Sequence, residues 1–236
     1  MADLHWTMPI TRWASISASD NVDVRFIEPM MRRRLSGLSR LALQAADNCA
    51  GDRAALRMVF ASRHGELTRT TALLDAIASG EPVSPTAFGL SVLNAASGMF
   101  GIVRRDRSAA TALSSGNETL GYALLEAHAQ AESGPACAPP VLLVYADEPA
   151  NDLNDLYAAH DDIADSEALA ILIDGTDARG DLHCEMTAGD GTDAGAAGAA
   201  CATQSAALRH CLNGQGAAIW RGRDATWRWS WHDRAA

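Results

Sequence analysis

Two short runs of this chain, Val141–Tyr145 (VLLVY) and Ala168–Ile173 (ALAILI), contain no charged residue and hardly a polar one, and they restrict the fold more than any other feature. A strand with one face in water alternates polar and apolar residues. A strand that is apolar throughout is buried on both faces. Residues 108–113 (SAATAL) have the same buried character. A sheet covered on both faces needs helices above and below it, so the chain must fold in layers.

The rest of the chain supplies those helices. From Glu28 to Ala50, Met31, Leu35, Leu38, Leu41 and Leu43 recur at helical spacing. Residues 68–79 read as a helix stopped by Gly80. Ser84-Pro85 starts a helix over 86–103, with Phe88, Val92, Ala95 and Met99 on one face. Further helices are expected over 117–131 and 203–213. Strands are expected over 10–17, 56–62 and 182–187, the last as a hairpin with Ala168–Ile173. Trp227, Trp229 and Trp231 alternate, which puts their rings on one face of a final strand, where they cover apolar surface. The order β-α-β-α-α-β-α-β-β-β predicts an α/β fold with a mixed, mostly parallel central sheet. We divide the chain into a main domain (1–187), a Gly/Ala-rich connection (188–202), and a helix and Trp-rich strand (203–236) that pack on the same domain.

Composition excludes several function classes. A formal charge of −10 argues against nucleic-acid binding. The 19 basic residues are all arginine, which we read as coding bias. No apolar run suits a membrane span and the N-terminus has no signal-peptide pattern, so a cytoplasmic protein without membrane insertion is expected. Five scattered cysteines without C-x-x-C spacing suggest reduced thiols and no metal site.

Few residues are placed for chemistry. Ser114 and Ser115 stand between strand and helix, and a serine there becomes a nucleophile only beside a base. Helix capping explains their hydroxyls more simply. Ser62-Arg63-His64-Gly65-Glu66 gathers serine, histidine and acid, and reads first as a turn. The acidic run Asp147–Asp165 lacks calcium-loop spacing and reads as a solvated loop. The arginine groups Arg32–Arg34 and Arg104, Arg105, Arg107 form charged faces able to steer an acidic partner.

Ala110–Gly116 (ATALSSG) resembles the strand-to-helix elbow of β-ketoacyl synthases, A-T-A-C-[ST]-S-G, with Leu113 in the place of the acyl-accepting cysteine. SPTAFGLSVLNAASG (84–98), RRRLSGLSRLALQAA (32–46) and DSEALAILIDG (165–175) resemble three further segments of that family, in order. FASRHGELTRT together with the 84–98 helix is similar to the short chain length factors of aryl-polyene clusters. Over residues 10–180 the resemblance implies the N-terminal half of a thiolase-like fold.

It also implies a function. Leucine cannot form a thioester, and none of the seven histidines sits in a context like that of the two catalytic histidines in the family's second half. The expected protein is therefore a catalytically silent chain length factor, with no catalytic residue and no cofactor. It would pair with a full-length active β-ketoacyl synthase in polyene or fatty-acid-type biosynthesis. Phe88, Val92, Leu93, Met99 and Leu113 would line the shared interface and the partner's acyl tunnel. Arg32, Arg33, Arg104 and Arg105 would dock acyl carrier protein. The alternative is an acyltransferase or hydrolase acting on carrier-bound acyl chains through Ser114, with His64.

Overall fold

A computed structural model describes residues 3–135, 137–150, 165–189 and 197–234. Nine strands form one sheet: β1 (Leu4–Ser17), β2 (Arg57–Ala61), β3 (Ala110–Leu113), β4 (Val141–Asp147), β5 (Glu167–Ile173), β6 (Gly180–Ala188), β7 (Ala199–Ala200), β8 (Ala218–Arg221) and β9 (Ala225–Asp233). Their spatial order is β3-β2-β4-β5-β1-β6-β9-β8-β7. The helices are α1 (Pro29–Arg32), α2 (Gly37–Ala50), α3 (Leu67–Ala78), α4 (Pro85–Gly89), α5 (Ala95–Arg104), α6 (Thr119–Ser133) and α7 (Gln204–Leu212).

β4 and β5 are buried along their whole length, as their composition requires. α2 and α5 cover one face of the sheet and α6 and α7 the other. The sheet is mixed, but antiparallel pairs predominate where parallel ones were expected: only β2–β3, β2–β4 and β7–β8 run parallel. The cause is β1. It inserts between β5 and β6 and runs antiparallel to both, so the expected hairpin of β6 with β5 does not form. A register shift between Ile10 and Arg12 lets β1 serve both layers. Before it, Trp6, Met8 and Ile10 point to the α6 side; after it, Ile16 points to the α2 side. An added residue in a strand exchanges its faces.

Two helices are shorter than predicted. The run 28–50 divides into α1 and α2, and α2 starts where Ser36 Oγ accepts from the Ser39 N–H at 2.9 Å. The run 86–103 divides into α4 and α5, so Phe88 and Met99 do not share one helix face. Part of the predicted connection is β7, which pairs with β8; residues 190–196 lie outside those described. Trp227 and Trp229 are fully buried under α6 and α7, their rings stacked 6.2 Å apart.

Candidate functional site

The elbow lies at the C-terminal ends of β2, β3 and β4. β3 ends at Leu113, opposite Ala61 of β2, and the Leu113 carbonyl accepts from the Ser62 N–H at 3.3 Å. The chain then turns through Gly116, whose φ of +55° suits a residue without Cβ, and enters α6. Leu113 is half-buried against the α6-side core, so an apolar contact occupies the position in question.

The serines do not cap α6. Ser114 Oγ donates to the Arg63 carbonyl at 2.7 Å, and the Ser115 N–H donates to Thr119 Oγ1 at 2.9 Å. The N-cap position is Glu118, whose side chain makes no capping bond. The Ser114 hydroxyl thus gives its proton to a main-chain carbonyl and not to an imidazole; His64, the next residue after Arg63, is half-buried in the same loop.

Beneath the elbow is a buried ion pair that sequence reasoning missed. Asp147 is not in a solvated loop: it is the last residue of β4 and has no solvent exposure. Its carboxylate pairs with Arg63, whose side chain is 6% exposed, and accepts from Ser62 Oγ and Tyr145 OH, each at 3.1 Å. Burial pushes the Asp147 carboxyl up and the Arg63 guanidinium pulls it back. Burial also raises the Tyr145 hydroxyl, reinforced by the charge on Asp147. Removing two charges from water is costly, and the extra hydrogen bonds offset that cost. Arg63 therefore ties three strand ends together: its carbonyl holds the elbow and its guanidinium holds β4. The signal available in sequence was the YAD end of an all-apolar strand, which extends the buried run to Asp147. Of the acidic run, 151–164 lies outside the described residues. Among the described residues no group of three His, Cys, Asp or Glu is placed to hold a metal, and no helix is long and apolar enough to cross a membrane.

The predicted interface residues separate into two sets. Phe88 and Val92 are 61% and 44% exposed, whereas Leu93 and Met99 are half-buried against the α2-side core. The exposed pair does not stand alone. Leu74 and Ile77 of α3 are 60% and 59% exposed, and Ile102 of α5 67%. α3 and α4 pack on each other, and neither buries a single residue. β3, on which α5 packs, forms an end of the sheet, its outer edge unpaired among the described residues. Exposed apolar side chains and an open strand edge are both features that association with another chain can cover. Sequence reasoning missed Leu74 and Ile77, although the segment TALLDAIA is apolar on too many sides for a helix that packs by one face.

The arginines also divide. Arg32 is half-exposed, and Arg33 and Arg105 are exposed. Arg104 is engaged inside the fold: it donates to the carbonyls of Gly51 (3.3 Å) and Arg53 (2.5 Å) and lies 5.4 Å over the Phe100 ring. Its guanidinium closes the turn between α2 and β2 and does not face a docking partner.

With this geometry in place, comparison with known proteins is decisive for the family. The family model described as "Beta-ketoacyl synthase, N-terminal domain" matches residues 6–230. The chain belongs to the β-ketoacyl synthase family. No curated protein matches it. Among solved structures, it is similar to a chain in the complex of a ketosynthase (ApeO) with its chain length factor (ApeC) from Xenorhabdus doucetiae. The identity is 24% and the TM-score 0.78, over 95% of this chain and 99% of that one. A type II polyketide synthase assembly, AntDE:AntF, is similar at 10% identity and TM-score 0.63, over 95% and 99%. A β-ketoacyl synthase from Burkholderia phymatum is similar at 12% identity and TM-score 0.58, over 82% of this chain and 56% of that one. These likenesses establish the thiolase-like ketosynthase fold. On it, Leu113 stands at the end of β3, at the turn into α6.

Proposed function

We propose that this β-ketoacyl synthase-family chain is a catalytically silent chain length factor, paired with an active ketosynthase whose acyl tunnel it helps to wall. The observations that carry this reading are the exposed apolar side chains Leu74, Ile77, Phe88, Val92 and Ile102 and the open edge of β3, the strand that ends in Leu113. The elbow has lost its nucleophile while the surface around it stays built for association. The partnership of the ApeO and ApeC proteins supports the reading by analogy of fold. In this assembly Phe88 and Val92, which their own chain leaves exposed, would contact the partner's acyl chain. Arg33 and Arg105 remain free to steer an acidic acyl carrier protein. The pathway class is polyene or fatty-acid-type biosynthesis.

The test is co-expression with the ketosynthase encoded nearest to it. The two chains should purify as a heterodimer, and Phe88→Ala should lengthen the product without unfolding the complex. Intact-mass measurement after incubation with acyl-loaded carrier protein should show the acyl group on the partner. An acyl adduct on this chain, or a monodisperse monomer that ignores the ketosynthase, would overturn the reading and favour acyl transfer through Ser114.

A further inference from the structure

A cleft of about 480 Å³ lies between the segment after β1, α1 and the start of α2. Val22 and Val24 contribute to its wall, and Arg25, Arg32 and Arg40 line it from those three elements, Arg25 with its side chain 84% exposed. Arg40 is fixed in place, since its guanidinium donates to the Arg32 carbonyl at 3.1 Å. Arg25 forks onto Asp23, with Nε 2.9 and 2.8 Å from the two carboxylate oxygens. Asp23 is held below the usual carboxylate range by Arg25 first, with Arg32 adding to the pull. Among the described residues, neither Arg32 nor Arg40 has a carboxylate within ion-pair distance.

That pattern is unusual in a chain with 29 acidic and 19 basic residues. Like charges gathered in a concavity repel one another unless an anion joins them. Three guanidinium charges less the Asp23 carboxylate leave two positive charges in the cleft. A guanidinium fork matches the oxygens of carboxylate and phosphate. A tetrahedral phosphoryl group offers oxygens in several directions and carries up to two negative charges, which suits charges supplied by separate elements. We infer that this cleft is a binding site for a phosphoryl group.

The cleft is mechanically joined to the elbow. Arg69 of α3 donates to the Arg34 carbonyl at 2.9 Å, and Ser36 donates to Glu66 at 2.7 Å. Glu66 closes the loop whose Arg63 carbonyl holds Ser114. The inference rests on the cleft alone and not on the heterodimer. Two sources supply such a group: a free phosphate ester, or the phosphodiester of a carrier protein's prosthetic arm.

The test is calorimetric titration of the full chain, alone or with its partner, using inorganic phosphate and pyrophosphate at low ionic strength. Saturable binding is expected, weakened roughly tenfold or more in Arg32→Gln and in Arg40→Lys, which keeps the charge but not the fork. The exposed control Arg223→Gln should bind as the parent does. Thermal melting checks that each variant is folded, and Arg32→Gln alone suffices if Arg40→Lys is not. A second arm compares unmodified carrier protein with its phosphopantetheinylated form. A preference for the modified form that disappears in Arg32→Gln assigns the prosthetic arm; pyrophosphate binding without that preference assigns a free ester. Absent saturable binding, or equal weakening in the control, would overturn the inference.

Discussion

At position 113 a half-buried leucine packs against the α6-side core, so the elbow there is held by packing and hydrogen bonds. A thiolate needs more than a sulfur atom: it needs a base or charge that stabilises it. Leu113→Cys alone should therefore neither condense carrier-bound substrates nor accumulate a thioester, as intact-mass measurement would show. The native thiols obey the same rule. Burial pushes Cys49 up to about 12 and Cys211 up to about 11, and raises Cys184 well above the ordinary thiol value. A thiol of pKa 12 is thiolate only about once in ten thousand at pH 8. Exposed Cys137 should thus react first with a thiol reagent at that pH, followed by half-buried Cys201, while the three buried thiols wait for unfolding. Mass-resolved alkylation kinetics read this directly; early modification of Cys49 would contradict it.

Among the elements, α3 and α4 stand apart because they contribute no buried residue to their own chain. An exposed substitution in such a helix usually changes stability by less than about 0.5 kcal/mol. Leu74→Glu with Ile77→Glu should therefore leave the melting temperature of the isolated chain nearly unchanged and raise its solubility. The same pair should abolish co-purification with the ketosynthase, because it places charge in an apolar contact. A large fall in melting temperature would show that α3 belongs to the core after all. The helical period was plain in this segment, as it was in α2. What the period could not say is whether the apolar side of α3 faces its own sheet or another chain.

At the scale of the whole molecule, the C-terminal strand completes the core begun by α6. A Cβ added at Gly121 would lie 2.6 Å from the Trp227 ring, so helix and indole pack closer than any other residue allows. Gly121→Ala improves local helix propensity by roughly 0.8–1.0 kcal/mol, yet forcing the ring aside costs about 1–3 kcal/mol. The clash should win, and urea unfolding should show net destabilisation; a stabilised variant would mean that the tail is not seated as described. The alternation of Trp227 and Trp229 announced a strand with one apolar face, but not that it would pair with β6 and close over α6.

From the sequence alone follow those features that depend on neighbours along the chain: strands apolar on both sides, helices with periodic faces, and proline and serine starts. The layered α/β class follows from these, because apolar strands must be covered. Tertiary structure alone decided the rest. β1 entered between β5 and β6 and made the sheet mainly antiparallel, since strand partners are chosen by pairing across many residues and a strand's composition does not name its neighbour. Asp147 was buried with Arg63, Leu74 and Ile77 were turned outward, and three arginines met around one cleft. Each of these brings together residues far apart in the chain or sets them against solvent, and local sequence carries no record of such distances.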